Sequence, residues 1–189
     1  SDVYKRQDLT YIPEMGLEVL IAISRFWAER VNYSENKKAY VILGVTGPND
    51  YENNVNNNWY TNYLAQWCLL YTTKEILKIK KTHPQHWNKI KQKVSWQESE
   101  IDKWNQIATQ IHFPRHPEND IFLQQDGFLD KTIIPASSID KSERPINQHW
   151  SWDRILRSPF IKQADVLQGL YLFEENFDYE FIKKHFDFY

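Results

Sequence analysis

The 189 residues contain one cysteine, one methionine and only five glycines. Cys68 therefore has no partner for an internal disulfide, and its place in an aromatic helical pattern reads as apolar filler. No run of 18 or more apolar residues occurs, so no membrane-spanning helix is expected. The N-terminal SDVYKRQDLT is polar and lacks an apolar h-region, so no secretory signal is read there. With nothing pointing to an oxidising compartment, the expected location is the cytoplasm. A basic excess is missing too: the formal net charge is −2, which gives a nucleic-acid backbone nothing to hold. Metal-ligand spacing, a nucleophile elbow and a glycine-rich phosphate loop are likewise absent.

What is present is a globular composition, 41% apolar, in a chain long enough for one sizeable core. Aromatics make up 15%, with eight Trp. Such rings stack on sugar faces but also fill cores, and composition does not separate the two. Taken singly, each Trp reads first as core. The chain does not begin with Met, and residues 1–7 read as a non-native tail. Residues 8–189 then form the domain, expected to be incomplete at both ends.

Helical periodicity dominates. Leu17, Leu20, Ile21, Ser24, Ala28 and Val31 recur on a 3.6-residue period and predict a helix over 13–31, with Pro13 near its start. YVILGVT (40–46) predicts a short strand or extended segment. GPNDYENNVNNN (47–58) reads as a loop; five Asn fall between 53 and 58, too polar for a core element. A long helix is expected over 57–80, with Tyr60, Tyr63, Leu64, Trp67, Cys68 and Tyr71 on one face. Another is expected over 96–112. The lysines between Lys74 and Lys93 read as a solvated face. FPRHPEND (113–120) is a loop, and FLQQ (122–125) a short strand ending at an Asp126-Gly127 turn. Residues 131–146 look like a long connection. Ser158-Pro159 suggests a helix start with Ser as N-cap and Pro in first position, and a last helix is expected from about 178. The class is therefore all-α, with functional loops.

Three segments carry side chains suited to chemistry. In GVTGPNDYENN (44–54), Asp50 and Glu52 offer carboxyl groups beside many amides; cleaving a glycosidic bond needs an acid to protonate the leaving oxygen. The bland reading is a turn-rich surface loop. In HWSWDR (149–154) and FIKQADV (160–166), Lys162 falls in what looks like a first helical turn, where the macrodipole disfavours a cation. Such a cation is either held for a ligand or simply solvated. FLQQDGFLD (122–130) by itself shows only an extended segment and a turn.

Taken together, GLEVLIAISRFWAER (16–30), GVTGPNDYENNVNNNWYTN (44–62), FLQQDGFLDK (122–131) and RPINQHWSWDRILRSPFIKQADVLQG (144–169) resemble glycoside hydrolase family 65, the inverting disaccharide phosphorylases. The resemblance implies an (α/α)6 barrel catalytic domain, of which this chain supplies about half. It implies that Asp50 holds the place of the catalytic general acid, a Glu in the family, one methylene longer. It implies sugar contacts for Lys162 and Gln163, and leaves Glu52 and Trp150 as further candidates. The implied reaction is attack of inorganic phosphate on the anomeric carbon of an α-glucoside, maltose first among them. No metal or organic cofactor is implied; phosphate is the co-substrate. The phosphate site is expected beyond Tyr189, so these residues alone are expected to be inactive. The parent enzyme is expected to be a homodimer, without nucleic-acid or membrane partners. Two other readings stay open, a hydrolase of the same family, such as a trehalase, and a non-catalytic sugar-binding module with a decayed acid at Asp50.

Overall fold

A computed structural model describes residues 11–189, so the tail read at 1–7 lies outside the described residues. The fold is mainly helical, as expected. It divides into two compact units, residues up to 40 with 64–111, and residues 41–63 with 112–189.

In the first unit, a π-helical turn at Ile12–Gly16 leads into α1 (Leu17–Arg30). Leu17, Ile21, Ser24 and Ala28 recur every three to four residues and face inward. Ile23, off that face, is exposed. β1 (Asn32–Ser34) and β2 (Ala39–Val41) pair as a two-stranded sheet, so the expected strand at 40–46 is short and continues as extended chain. Next come α2 (Trp59–Thr82), α3 (Pro84–Lys93) and α4 (Ser99–Gln110). Lys74, Lys78, Lys81, Lys89, Lys91 and Lys93 are exposed, as a solvated face requires.

The core of this unit joins Leu17, Ile21, Leu69, Ile76, Ile79, Trp87, Ile90, Trp104 and Ile107. Trp96 bridges Trp87 and Trp104 edge-on, with ring centroids 5.7 and 5.4 Å apart. Arg25 clamps Glu100 through two bonds of 2.7 and 2.8 Å and donates to the Val94 carbonyl at 2.8 Å. This forked pairing fastens α1 to α4.

α2 corrects one expectation. Its buried face carries Trp59, Asn62, Ala65, Leu69, Thr72, Ile76 and Ile79, whereas Trp67 is exposed and Tyr60, Tyr63, Leu64, Cys68 and Tyr71 are half-buried. Apolar side chains also stand on the outer side, where Trp67, Leu70 and Leu77 are exposed, so periodicity alone did not show which side packs inward. Trp67 instead stacks on Tyr71 at 4.8 Å, one turn on.

In the second unit, residues 42–58 form a narrow ribbon. Val45 and Val55 exchange backbone hydrogen bonds of 2.8 and 2.9 Å, and Asn57 N–H reaches Ile42 O at 2.7 Å. Asn54 and Asn57 sit at φ 54° and 53°, the left-handed region that Asn tolerates better than most residues. The asparagines are not all surface, contrary to expectation: Asn57 and Asn58 are buried. Each is hydrogen-bonded, which is what makes burying an amide tolerable. Asn57 Oδ1 accepts from Ile42 N–H at 3.0 Å and its Nδ2 donates to Asp126 at 2.6 Å. Asn58 caps α2, its Oδ1 accepting from Thr61 N–H at 3.0 Å.

FLQQ is buried but extended, with a single bridge from Phe122 to Arg115 in place of a strand. The turn behind it stands: Gly127 adopts φ 74°. The 131–146 connection holds only short 3-10 turns. α5 (Ile146–His149) and α6 (Trp152–Arg157) follow, the latter capped by Ser151.

Ser158 does not begin a helix. It ends α6, and residues 158–164 are irregular before α7 (Asp165–Leu172). The Ser-Pro pair allows either reading locally, but here the Ser158 hydroxyl and amide both bond back to Ile155 O, at 2.8 and 3.0 Å. α8 (Tyr179–Phe188), capped by Asp178, matches the last helix expected. Trp59, Phe122, Val166 and Leu170 form the core of this unit, flanked by Tyr63, Phe177, Phe181 and Tyr189.

Candidate functional site

The ribbon at 42–58 and the irregular segment at 158–164 meet, and their meeting point holds the candidate residues. Asp50 sits exposed at the ribbon's tip. Its Oδ2 pairs with Lys162 Nζ at 2.5 Å, joining residues 112 positions apart. The carboxylate holds the Lys162 ammonium above its ordinary pKa. Lys162 lies three residues before α7, so it is not in a first helical turn, and the dipole argument for its role falls. The Asp50 pairing takes that argument's place.

Asn49 is buried next to Asp50. Its Oδ1 accepts from the backbone N–H of Lys162 at 2.9 Å and of Tyr51 at 3.3 Å. Tyr51 in turn donates through its hydroxyl to Asn147 Oδ1 at 3.3 Å. Gln163 follows Lys162 with its side chain exposed, while its carbonyl accepts from Gln124 Nε2 at 3.3 Å.

Glu52 points elsewhere. It is buried, and its carboxylate accepts from Gln125 Nε2 and pairs with Lys131 Nζ. Burial pushes the Lys131 amine down. Trp150 is half-buried, with the Arg154 guanidinium 3.7 Å from its ring centre and Phe160 at 5.8 Å. That cation–π contact covers one face of the ring. Asp50 and Lys162 are therefore brought together with Gln163 next in sequence, whereas Glu52 is diverted to a separate ion pair.

Behind the exposed pair lies a group that sequence reasoning missed. Asp165 is fully buried, its Oδ2 accepting from Asn58 Nδ2 at 2.8 Å and its N–H donating to Gln124 Oε1 at 3.1 Å. Burial pushes its carboxyl up to about 6, against the pull of hydrogen bonds from Asn58, Asn49 and Gln124. A side chain at Gly47 would run into Asp165 and Asn58, so only glycine lets the ribbon lie this close. The one signal in the sequence was Gln124-Gln125 directly after Phe122-Leu123, amides following apolar residues. Among the described residues no group of three or more His, Cys, Asp or Glu could hold a metal ion. None of the helices among them is long and apolar enough to cross a membrane.

An exposed carboxyl ion-paired to a lysine thus sits on a loop of a helical fold, with buried amides behind it. Residues 3–189 match the model of the glycosyl hydrolase family 65 central catalytic domain, and the chain belongs to that family. It is a helical part of that catalytic domain, the (α/α)6 barrel class the resemblance implied. It is 49% identical to the maltose phosphorylase of Bacillus subtilis over 182 residues, covering 96% of this chain and 23% of that protein. It is 35% identical to the α,α-trehalose phosphorylase of Thermoanaerobacter brockii, covering 96% of this chain and 24% of that protein. A solved structure from the human microbiome, assigned as a kojibiose phosphorylase, superposes with a TM-score of 0.84 at 31% identity. That match covers 97% of this chain and 25% of the other. The chain thus spans about a quarter of the length of the relatives it matches.

Proposed function

We propose that the full-length protein carrying these residues phosphorolyses an α-glucoside with inversion, maltose first among the candidates. Protonated Asp50 gives its proton to the glycosidic oxygen while a phosphate oxygen attacks the anomeric carbon from the opposite face. The carbon–oxygen bond breaks, releasing free glucose and β-glucose 1-phosphate and leaving Asp50 as a carboxylate. Phosphate is the nucleophile and co-substrate, so no base has to activate water, and neither a metal nor an organic cofactor takes part. Lys162 and Gln163 hold the hydroxyls of the transferred sugar, and Trp150 is a further sugar-facing candidate.

The observation that carries this reading is the Asp50–Lys162 pair at 2.5 Å. It unites the two residue types the reaction needs, a loop acid and a sugar-binding cation. The names of the relatives support maltose over kojibiose or trehalose only by degree of identity. A hydrolase would instead need a second carboxylate to activate water, roughly 6.5–9.5 Å from the acid. Glu52, the other acid of the loop, is already committed to Lys131 and Gln125, which favours phosphorolysis. The reading also puts the enzyme in the cytoplasm as a homodimer, without nucleic-acid or membrane partners.

The test is glucose release from maltose by the full-length protein, with and without phosphate. Turnover that vanishes without phosphate is expected; turnover that persists makes it a hydrolase. Sugar binding without turnover makes it a binding module. Residues 1–189 alone are expected to show no phosphorolysis, and detectable turnover by them overturns that part of the reading.

A further inference from the structure

Gln124 has no part in the chemistry above, yet it is wholly buried directly behind the sugar-binding pair. The irregular stretch before α7 cannot satisfy its backbone through a helical ladder, and buried N–H and C=O groups must find partners. Three of them are met by side-chain amides from distant loops. Asn49 Oδ1 takes Lys162 N–H at 2.9 Å. Gln124 Nε2 gives to Gln163 O at 3.3 Å, and Gln124 Oε1 takes Asp165 N–H at 3.1 Å. One glutamine thus grips the chain on both sides of Ala164. Its own backbone is held as well, Gln124 O accepting from Trp59 N–H at 3.0 Å. Asn49 in addition adjoins Asp50, so the acid and the lysine are fastened to one set of buried amides.

We propose that Gln124 and Asn49 are positioning residues for substrate binding: they touch no substrate, but set the place of Lys162 and Gln163 relative to Asp50. The inference rests on the phosphorolytic reading above and deepens it. An apolar side chain would fill the same space, whereas the amide offers both a donor and an acceptor to the two sides of a non-helical turn. Sugar contacts depend on holding such groups to within about 0.5 Å, and a rigid support is what supplies it.

The test uses the full-length protein with Gln124→Met, which keeps the volume and loses both bonds, and Gln124→Glu, which keeps the acceptor for Asp165 N–H. Hydrogen exchange of peptides covering 159–166 is read beside kcat and KM for maltose and for phosphate. For Gln124→Met, exchange in that stretch is expected to quicken while α4 stays as in wild type. Maltose kcat/KM should fall about tenfold or more, with the phosphate KM held within about twofold, because a small displacement of a positioning group is costly. Gln124→Glu should fall between. Loosened exchange with unchanged maltose kinetics overturns the proposal, as does unchanged exchange. If the wild type releases no glucose, the phosphorolytic reading is what fails, and exchange alone decides whether the amides hold the segment. If Gln124→Met does not fold, Asn49→Leu, which frees only Lys162 N–H and Tyr51 N–H, is read in the same way.

Discussion

At the scale of single residues, the question is whether an aspartate reaches far enough. A general acid works within hydrogen-bond distance of the leaving oxygen, and about 1 Å of misplacement costs roughly a hundredfold. Asp50 is a methylene shorter than the Glu the resemblance implies, and its carboxylate is drawn to Lys162 at 2.5 Å. Asp50→Glu is therefore expected to raise kcat for maltose phosphorolysis. Asp50→Asn, which has no proton to give, is expected to lower kcat by about 10²–10⁴-fold. Phosphate-dependent glucose release checks both, and an unchanged kcat in Asp50→Asn removes Asp50 from the chemistry. Asp50 and Glu52 look interchangeable in sequence, two acids in one loop. They separate only because Lys131 and Gln125 lie 79 and 73 residues away along the chain and capture Glu52.

Among the elements, the seat of α7 on the start of α2 is an exacting contact. A Cβ at Gly169 would fall inside van der Waals reach of the Trp59 ring. Trp59 is fully buried, with Tyr63 stacked on it at 4.9 Å and Phe122 at 4.8 Å, so it has nowhere to retreat. Gly169→Ala gains helix propensity of about 1 kcal/mol, but overpacking a filled core costs about 1–3 kcal/mol. The clash should win, and α7 carries Asp165 with it. The expected outcome is a lower unfolding midpoint for Gly169→Ala and a still lower one for Gly169→Val; a gain in stability for Ala would mean that the ring moves. Helix positions here were largely legible from periodicity, since the pattern of α1 is a local property. Facing was less so: α2 is apolar on several sides, and only its partners Leu17, Ile21, Trp104 and Ile107 show which side is core.

For the molecule as a whole, two buried titratable groups set opposing responses to acid. His185 is fully buried, with Nε2 accepting from Phe122 N–H at 2.8 Å and Nδ1 against Phe181 O at 2.7 Å. One nitrogen must accept and the other donate, so the ring is neutral. Burial holds its pKa below the ordinary 6.5 against the opposing pull of the Phe181 carbonyl and Asp120, with Arg115 and Lys184 pushing the same way as burial. The unfolded chain therefore takes up the proton first, and stability is lost as pH falls below about 6.5. Asp165 has the opposite sign. Its folded value of about 6 lies above the ordinary 3.8, so the cost of its buried charge is relieved as pH falls from about 6 towards 3.8. Comparing His185→Gln with wild type isolates the first effect. The variant should be less protected at pH 7.5, and the gap should narrow by pH 5, read as hydrogen exchange in α8 and residues 121–126. A gap that stays constant with pH means that His185 does not titrate on unfolding.

Sequence alone carried the helical class, the loop character of 47–58 and, through the strings that resemble the family, Asp50, Lys162 and Gln163 as candidates. Each of these is written in local spacing or in an unbroken string of residues. Tertiary structure decided which acid faces Lys162, which asparagines are buried, and that Ser158 closes a helix instead of opening one. Those outcomes depend on partners drawn from far along the chain, Asn49 to Lys162 across 113 positions and Asn58 to Asp165 across 107. A buried amide is stable only where its hydrogen-bond partners arrive, and their arrival is a property of the fold.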